Sequence, residues 1–167
     1  PMKSIVGSLL YISMIARPDI SFAVQKVARF TVEPTMRAVQ AAKRICKYLS
    51  GTKNFSISYS PEKEAHFNYL AGTIALEKSK ELGDFAMFSD SDFAGCTTTL
   101  KSTSGSIMYY KGTPIFWSAK RQSIRALSTC EAEYCAAYDT IKIAKNQGFL
   151  DFYYEQGTLP LLFVDNM

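Results

Sequence analysis

The chain has 167 residues, of which 47% are hydrophobic and 20% are charged, and its formal net charge is +4 at pH 7. This balance excludes disorder and low complexity, and the length suits one domain, or one small domain with part of another. Lysine and arginine are scattered, so the net charge permits contact with a polyanion without indicating it. No apolar run approaches the ~20 residues of a membrane span, and Lys3, Arg17 and Asp19 interrupt any signal peptide. We therefore expect an intracellular protein, cytoplasmic or nuclear.

The four cysteines show no spacing typical of a zinc site or of a small disulfide framework. They stand at positions 46, 96, 130 and 135. We expect reduced thiols that pack as small buried side chains.

The first fifty residues are predicted to form three helices. Apolar residues recur at helical spacing over 4–15, 20–30 and 34–50. Pro18 separates the first two helices, and Gly51 ends the third. Each helix carries an apolar stripe, so this segment is interpreted as a small helical bundle or part of one.

The next thirty residues are less regular. Thr52–Ser60 alternates apolar and polar residues, which predicts a short strand. Residues 61–83 contain prolines, glycines and mixed charges, and we interpret them as a linker or an insertion in which one weak helix can form. The boundary between two units is expected here.

From Asp84 onward the pattern predicts an α/β (α+β) fold with a mixed sheet. Strands are predicted over 84–90, 105–111 and 114–119, then a helix over 128–154 and a strand over 161–165. The first three strands suit an antiparallel meander. The last strand returns after a crossover, which indicates that it pairs parallel to the first.

Acidic residues stand at the ends of three of these elements. Asp90 and Asp92 close the first strand, Glu131 and Glu133 open the long helix, and Asp165 closes the last strand. Carboxylates delivered from separate elements are what a hard cation such as Mg²⁺ or Mn²⁺ needs. The alternative for the aspartates is simple strand termination, so spacing alone leaves a metal site open.

The two glutamates are predicted to have different roles. Ser128 with Glu131 three positions later forms a capping box, in which Glu131 folds back to the helix N-terminus. Glu133 lies ~200° around the helix from Glu131 and shares a face with Ala136 and Ala137. An acid beside a packing face needs a partner, and a metal is one candidate. The alternative is an exposed acid that the helix dipole stabilises by ~0.3–1 kcal/mol.

Six motifs in series resemble the Pol polyprotein of copia-like LTR retrotransposons in order and spacing. They are Arg17-Pro18-Asp19-Ile20, Lys47-Tyr48-Leu49-Ser50-Gly51-Thr52, Asp90-Ser91-Asp92-Phe93-Ala94-Gly95, Lys101-Ser102-Thr103-Ser104-Gly105, Trp117-Ser118-Ala119-Lys120-Arg121-Gln122 and Ala126-Leu127-Ser128-Thr129-Cys130-Glu131-Ala132-Glu133-Tyr134. The exception is 61–83, which is longer and more irregular than the usual link in the family.

This resemblance implies that residues 1–60 are the helical tail of a reverse transcriptase and that 84–167 begin a ribonuclease H-like domain. It implies that Asp90, Glu133 and Asp165 are both the catalytic and the metal-binding residues, for two Mg²⁺ or Mn²⁺ ions ~3.5–4 Å apart. Such ions would activate a water and stabilise the leaving oxygen as the RNA strand of an RNA–DNA hybrid is cut. Asp92 is less expected as a ligand because the chain is predicted to turn there.

The resemblance also implies partners and an incomplete site. The partners would be the RNA–DNA hybrid and the remainder of the Pol polyprotein, in a virus-like particle or in the nucleus. The polymerase acids would lie upstream, and the family's fourth metal acid would lie beyond Met167, so we expect a fragment with impaired nuclease activity. At most, Ser102, Ser104 and Gln122 are expected to contact the substrate backbone.

Two alternatives remain open at this point. In the first alternative, the chain is a catalytically inactive relic or a repurposed module that binds nucleic acid or protein. In the second, it is an interaction protein built on the N-terminal helices.

Overall fold

The computed structural model describes residues 2–77, 84–96, 98–155 and 160–165. The chain divides into two compact units, Pro1–Ile57 and Ser58–Met167. The division therefore falls just before the segment 61–83 in which the sequence led us to expect it.

The first unit contains the three predicted helices. They are α1 (Met2–Ile15), α2 (Ser21–Ala28) and α3 (Met36–Gly51), and a short 3-10 helix over Pro18–Ile20 leads into α2. Helix α3 begins after Thr35 because the Thr35 side chain accepts a hydrogen bond from the Ala38 N–H at 3.2 Å. The apolar stripes meet in one core, which is formed by Met2, Val6, Leu9, Ile20, Val24, Val27, Ala38, Ala42 and Ile45.

A buried arginine connects the start of the 3-10 helix to the end of α3. The Arg17 guanidinium donates to both carboxylate oxygens of Asp19, at 2.9 and 2.7 Å, and to the Thr52 carbonyl and hydroxyl, at 3.1 and 2.7 Å. The Tyr48 hydroxyl also donates to Asp19, at 2.9 Å. The Arg17 hydrogen bonds hold the pKa of Asp19 below its usual value.

The prediction of a strand over Thr52–Ser60 is wrong. Residues 52–54 form a turn and 55–60 have no regular structure. Thr52 is engaged by Arg17, and the Phe55 ring centroid lies 5.8 Å from the Arg17 guanidinium carbon. Contacts of the first unit thus engage the start of this segment, and no strand in the described part of the chain pairs with it.

The second unit is built on a four-stranded mixed sheet in the order β3-β2-β1-β4. The strands are β1 (Phe85–Asp92), β2 (Thr103–Tyr110), β3 (Thr113–Arg121) and β4 (Leu161–Val164). Strands β1, β2 and β3 form an antiparallel meander, and β4 pairs parallel to β1. The predicted α/β fold class and sheet arrangement are confirmed.

Helices contact both faces of this sheet. On one face, Phe85 and Met87 pack with residues of the helices α5 (Thr129–Asn146) and α6 (Phe149–Glu155), including Ala144 and Tyr153. Side chains alternate along a strand, so Phe88 faces the other way, and its ring lies 6.4 Å from Phe67 of helix α4 (Pro61–Glu77).

The described part of the segment expected as a linker or an insertion is therefore a helix that packs on the sheet. Phe67 also stacks on Tyr109 at 5.2 Å. The remainder of that segment, 78–83, lies outside the described residues.

The single helix predicted over 128–154 is two helices. Helix α5 ends at Asn146, and Gly148 adopts a φ of +73° before α6 begins at Phe149. That backbone conformation stops a helix, and glycine adopts it at little cost.

The cysteines differ from the expected buried set. All four thiols are free, but Cys46 and Cys130 are exposed, Cys135 is half-buried, and only Cys96 is buried. The pKa of the Cys135 thiol is raised, mainly because the thiol is partly buried and to a smaller extent because the Glu131 and Asp139 carboxylates are near it.

None of the described helices has the length and apolar character needed to cross a membrane.

Candidate functional site

Glu133 lies on the buried side of α5, at the end of the sheet. Its exposed fraction is 7%, and Ala132 and Ala136 beside it are fully buried. This confirms the predicted inward orientation and excludes the alternative of an exposed acid. Glu131 serves as the cap: its N–H donates to the Ser128 hydroxyl at 3.1 Å, and its carboxylate accepts from the Leu127 N–H at 2.6 Å. The capping box therefore forms, but the Glu131 carboxylate accepts from the N–H of Leu127, one residue before the N-cap Ser128.

Asp90 and Glu133 meet at one backbone amide. The Ser91 N–H is 2.8 Å from Asp90 Oδ1 and 3.2 Å from Glu133 Oε1. The Ser91 hydroxyl donates a second bond to Glu133 Oε1, at 2.7 Å. Asp90 is exposed, so the pair joins a buried carboxylate to one that solvent can reach.

The second carboxylate oxygen of Glu133 is buried and has no hydrogen-bond partner among the described residues. A buried carboxylate oxygen without a donor is strongly unfavourable, and a cation is one of the groups that compensates it. The donor set at this position is also the oxygen chemistry that Mg²⁺ and Mn²⁺ prefer. Asp90 and Glu133 therefore supply two carboxylates of the kind that a hard divalent cation binds.

Asp165 directly follows β4, the strand that pairs with β1. Val164 pairs with Ser89 in the parallel register of β4 and β1. Asp90 follows Ser89 within β1, and Asp165 follows Val164 directly after β4, so the same register continued by one residue brings Asp165 level with Asp90. Asp165 is exposed at a bend that follows β4.

The three predicted ligands do not form a closed cluster. The structure brings Asp90 and Glu133 together and places Asp165 at their level. Within the described residues, no group of three or more histidine, cysteine or acidic side chains is close enough to hold a metal ion.

Asp92 is the last residue of β1. The turn that the sequence predicted at Asp92 therefore begins after this residue. The Asp92 carboxylate lies over the turn that follows: a Cβ built on Gly95 would be 1.8 Å from Asp92 Oδ2. Asp92 thus occupies the space that any side chain at position 95 would need.

Buried polar contacts hold α5 against the sheet. The Gln122 side-chain amide donates to the Ala132 carbonyl at 2.9 Å and to the Ser104 hydroxyl at 3.1 Å. The Ser106 and Thr140 hydroxyls lie 2.7 Å apart. Because Ser102, Ser104 and Gln122 are all buried, the expectation that they contact substrate is wrong for the structure described.

Sequence reasoning missed Ser91 as a site residue. The signal was present, because strand alternation turns the residue between Asp90 and Asp92 toward the same face of the sheet as Met87, the face on which α5 packs. The partner of that residue depends on where α5 packs, which periodicity does not give.

Fold and site together define a class of protein: an α/β unit whose mixed sheet presents carboxylates from two strands and one helix at one end. Three similar proteins extend this description. The chain is 38% identical over 138 residues (83% of its length) to the retrovirus-related Pol polyprotein from transposon RE1 of Arabidopsis thaliana, and 35% identical over 142 residues (85%) to that from transposon TNT 1-94 of Nicotiana tabacum. It is 32% identical over 136 residues (81%) to the secreted RxLR effector protein 161 of Plasmopara viticola.

The chain is thus similar, over more than four fifths of its length, to a segment of the retrovirus-related Pol polyproteins of copia-like transposons. It spans only 8% of the RE1 polyprotein and 9% of the TNT 1-94 polyprotein, but 83% of the Plasmopara viticola protein. No protein-family model matches the chain, and no solved structure gives a significant match.

Proposed function

We propose that the second unit is part of a ribonuclease H-like domain, which in its complete form cleaves the RNA strand of RNA–DNA hybrids during reverse transcription. The first unit would then be the helical tail of the reverse transcriptase. The order of three antiparallel strands, helices and a parallel strand supports this assignment, as does the similarity to Pol polyproteins.

One observation carries the proposal. Asp90 and Glu133 share the Ser91 N–H, and the remaining Glu133 oxygen is buried without a partner in the described part of the chain. Burying a carboxylate oxygen without a donor is unfavourable, and the two Ser91 hydrogen bonds satisfy only Oε1, so a cation at Oε2 would compensate the remaining cost.

Asp90, Glu133 and Asp165 are the residues proposed to hold Mg²⁺ or Mn²⁺. The chemistry that two such ions would supply is activation of a water and stabilisation of the charge that develops on the leaving oxygen. Glu133 contributes a carboxylate whose orientation is fixed by the strand beside it. Asp90 and Asp165 contribute exposed carboxylates at the level where substrate would approach.

The test is hydrolysis of an RNA–DNA hybrid by the complete 167-residue chain. The RNA strand carries a 5′ label, and single-stranded RNA and duplex DNA serve as substrate controls. We expect weak cleavage that depends on Mg²⁺ or Mn²⁺, and fragments that end in a 3′-hydroxyl. Asp90→Asn and Glu133→Gln should each abolish this cleavage, because each removes a charge proposed to bind the ions.

Asp92→Asn is the matched control, since it neutralises an exposed aspartate on the same strand without changing its shape. It should retain the cleavage of the wild-type chain. Absence of metal-dependent cleavage by the purified wild type would contradict the proposal for this chain.

A non-catalytic binding module is the second candidate. The Plasmopara viticola relative favours it, because the chain covers 83% of a protein that is named as an effector rather than as a polyprotein. This candidate predicts that the wild type binds a hybrid or a protein partner without cleavage, and that Glu133→Gln leaves that binding unchanged.

A further inference from the structure

Ser91 makes two hydrogen bonds to the same oxygen of Glu133. Its hydroxyl donates at 2.7 Å and its N–H at 3.2 Å, both to Oε1. Two donors from one residue fix both the position and the rotation of the carboxylate. The other oxygen, Oε2, is left buried and without a partner among the described residues.

The N–H and the hydroxyl of Ser91 differ in the acceptors that they bind. The N–H also bonds Asp90 Oδ1 at 2.8 Å, so it is shared between the two acids, and no substitution short of proline removes it. The hydroxyl bonds Glu133 at the shorter distance. It is therefore the group that binds the Glu133 carboxylate more closely, and it can be removed by mutation.

We propose that Ser91 is a positioning residue for the metal centre, and that its hydroxyl holds Glu133 Oε1 so that Oε2 is directed to the cation. This inference rests on the proposed function for the identity of the ion. Side chains that orient a metal ligand in this way typically change metal affinity about 10- to 100-fold when they are removed.

The test measures Mn²⁺ binding by the complete chain, from the loss of the free-ion electron paramagnetic resonance signal during titration. Ser91→Ala removes the hydroxyl, and Ser91→Thr restores it. Ser89→Ala is the matched control, because Ser89 precedes Ser91 on the same face of β1 and its buried hydroxyl has no partner in the described residues. Circular dichroism verifies folding, and Ser91→Gly, which also lacks the hydroxyl, replaces Ser91→Ala if that variant unfolds.

We expect the Mn²⁺ dissociation constant to rise about 10- to 100-fold in Ser91→Ala, to recover in Ser91→Thr and to stay within about twofold of wild type in Ser89→Ala. A merely structural contact would change the unfolding temperature but not the affinity of the folded protein. Equal affinity in Ser91→Ala and wild type would overturn the inference, as would Mn²⁺ binding that is absent or that Glu133→Gln does not weaken.

The two proposals fail separately. If Mn²⁺ binding follows this pattern and no hybrid is cleaved, the nuclease assignment fails and the positioning role stands. If the wild type cleaves the hybrid and Ser91→Ala binds and cleaves equally well, the positioning role alone fails.

Discussion

Asp90 and Glu133 each bring one carboxylate oxygen to the same N–H, at 2.8 and 3.2 Å from the Ser91 nitrogen. One acid is exposed on a strand, whereas the other is buried on a helix that begins far along the chain. The Glu133 carboxylate is buried and its second oxygen has no partner among the described residues, which lowers the stability of the protein in the absence of a compensating cation.

Glu133→Gln should therefore stabilise the metal-free protein. The glutamine can still accept from Ser91, while the buried charge disappears. We expect the free energy of unfolding, measured by urea denaturation in EDTA, to increase by about 1 kcal/mol. Added Mn²⁺ should stabilise the wild type but not the variant, because the ion binds only the folded site.

Asp151→Asn, at an exposed acid of α6, is the control and should change the stability by only a few tenths of a kcal/mol. A loss of stability in Glu133→Gln in EDTA would contradict the account of Glu133 as an uncompensated charge.

Gly112 should be the most sensitive glycine of the second unit among those described. Its φ is +74°, and a Cβ there would lie 2.8 Å from the Lys63 carbonyl oxygen and 2.9 Å from the Phe67 Cβ of α4. We expect Gly112→Ala to cost about 3 kcal/mol in urea denaturation, from backbone strain together with displacement of α4.

Gly148→Ala separates these two contributions. Gly148 has a φ of +73°, but nothing lies within 4 Å of the position that a Cβ would take, so only the backbone term of about 1 kcal/mol applies. Equal losses in the two variants would show that α4 does not pack against the β2–β3 turn.

The Arg17–Asp19 pair should make the stability of the first unit depend on pH. Arg17 lowers the pKa of Asp19, so the pair stabilises the fold above the ordinary aspartate value of 3.8 and loses that contribution as pH falls through the lower folded value. Asp19→Asn should cost roughly 2 kcal/mol at pH 7, a modest figure because the Asp19 side chain is 34% exposed.

Chemical denaturation from pH 7 down to pH 2 measures this contribution. The difference between wild type and Asp19→Asn should narrow below pH 3.8. Glu33→Gln, at an exposed acid of the same unit, should show no comparable pH dependence. A constant difference across that range would contradict the linkage.

The cap of α5 should contribute measurably to the second unit. Ser128→Ala removes the acceptor of the Glu131 N–H and should lower the free energy of unfolding by about 1 kcal/mol. Ser128→Thr should retain most of it, and Ser123→Ala, at an exposed serine outside the helix, should have little effect. A Ser128→Ala variant as stable as wild type would show that another group caps the helix.

Local sequence predicted most of the elements. Helical periodicity identified α1, α2 and α3 and the inward orientation of Glu133, and the capping pattern at Ser128 identified the start of α5. These features depend on neighbours within one or two turns, which is the range over which periodicity and capping act. The break at Gly148 was missed because glycine alone does not specify a positive φ.

Features that depend on distant contacts were missed or left open. The alternation of Thr52–Ser60 suits a strand, but Arg17 engages Thr52 and no described strand pairs with the segment. The irregular composition of 61–83 gave little indication that Phe67 would stack on Tyr109.

The sequence by itself determined the inward orientation of Glu133 and the order of the four strands, three before the long helix and one after it. Only the tertiary structure decided that Asp90 and Glu133 share the Ser91 amide, that one Glu133 oxygen stays buried without a partner in the described residues, and that Asp165 stands level with Asp90. The physical reason is that periodicity fixes the direction of a side chain relative to its own element. The packing of α5 on the sheet and the register of β4 against β1 fix which side chains meet.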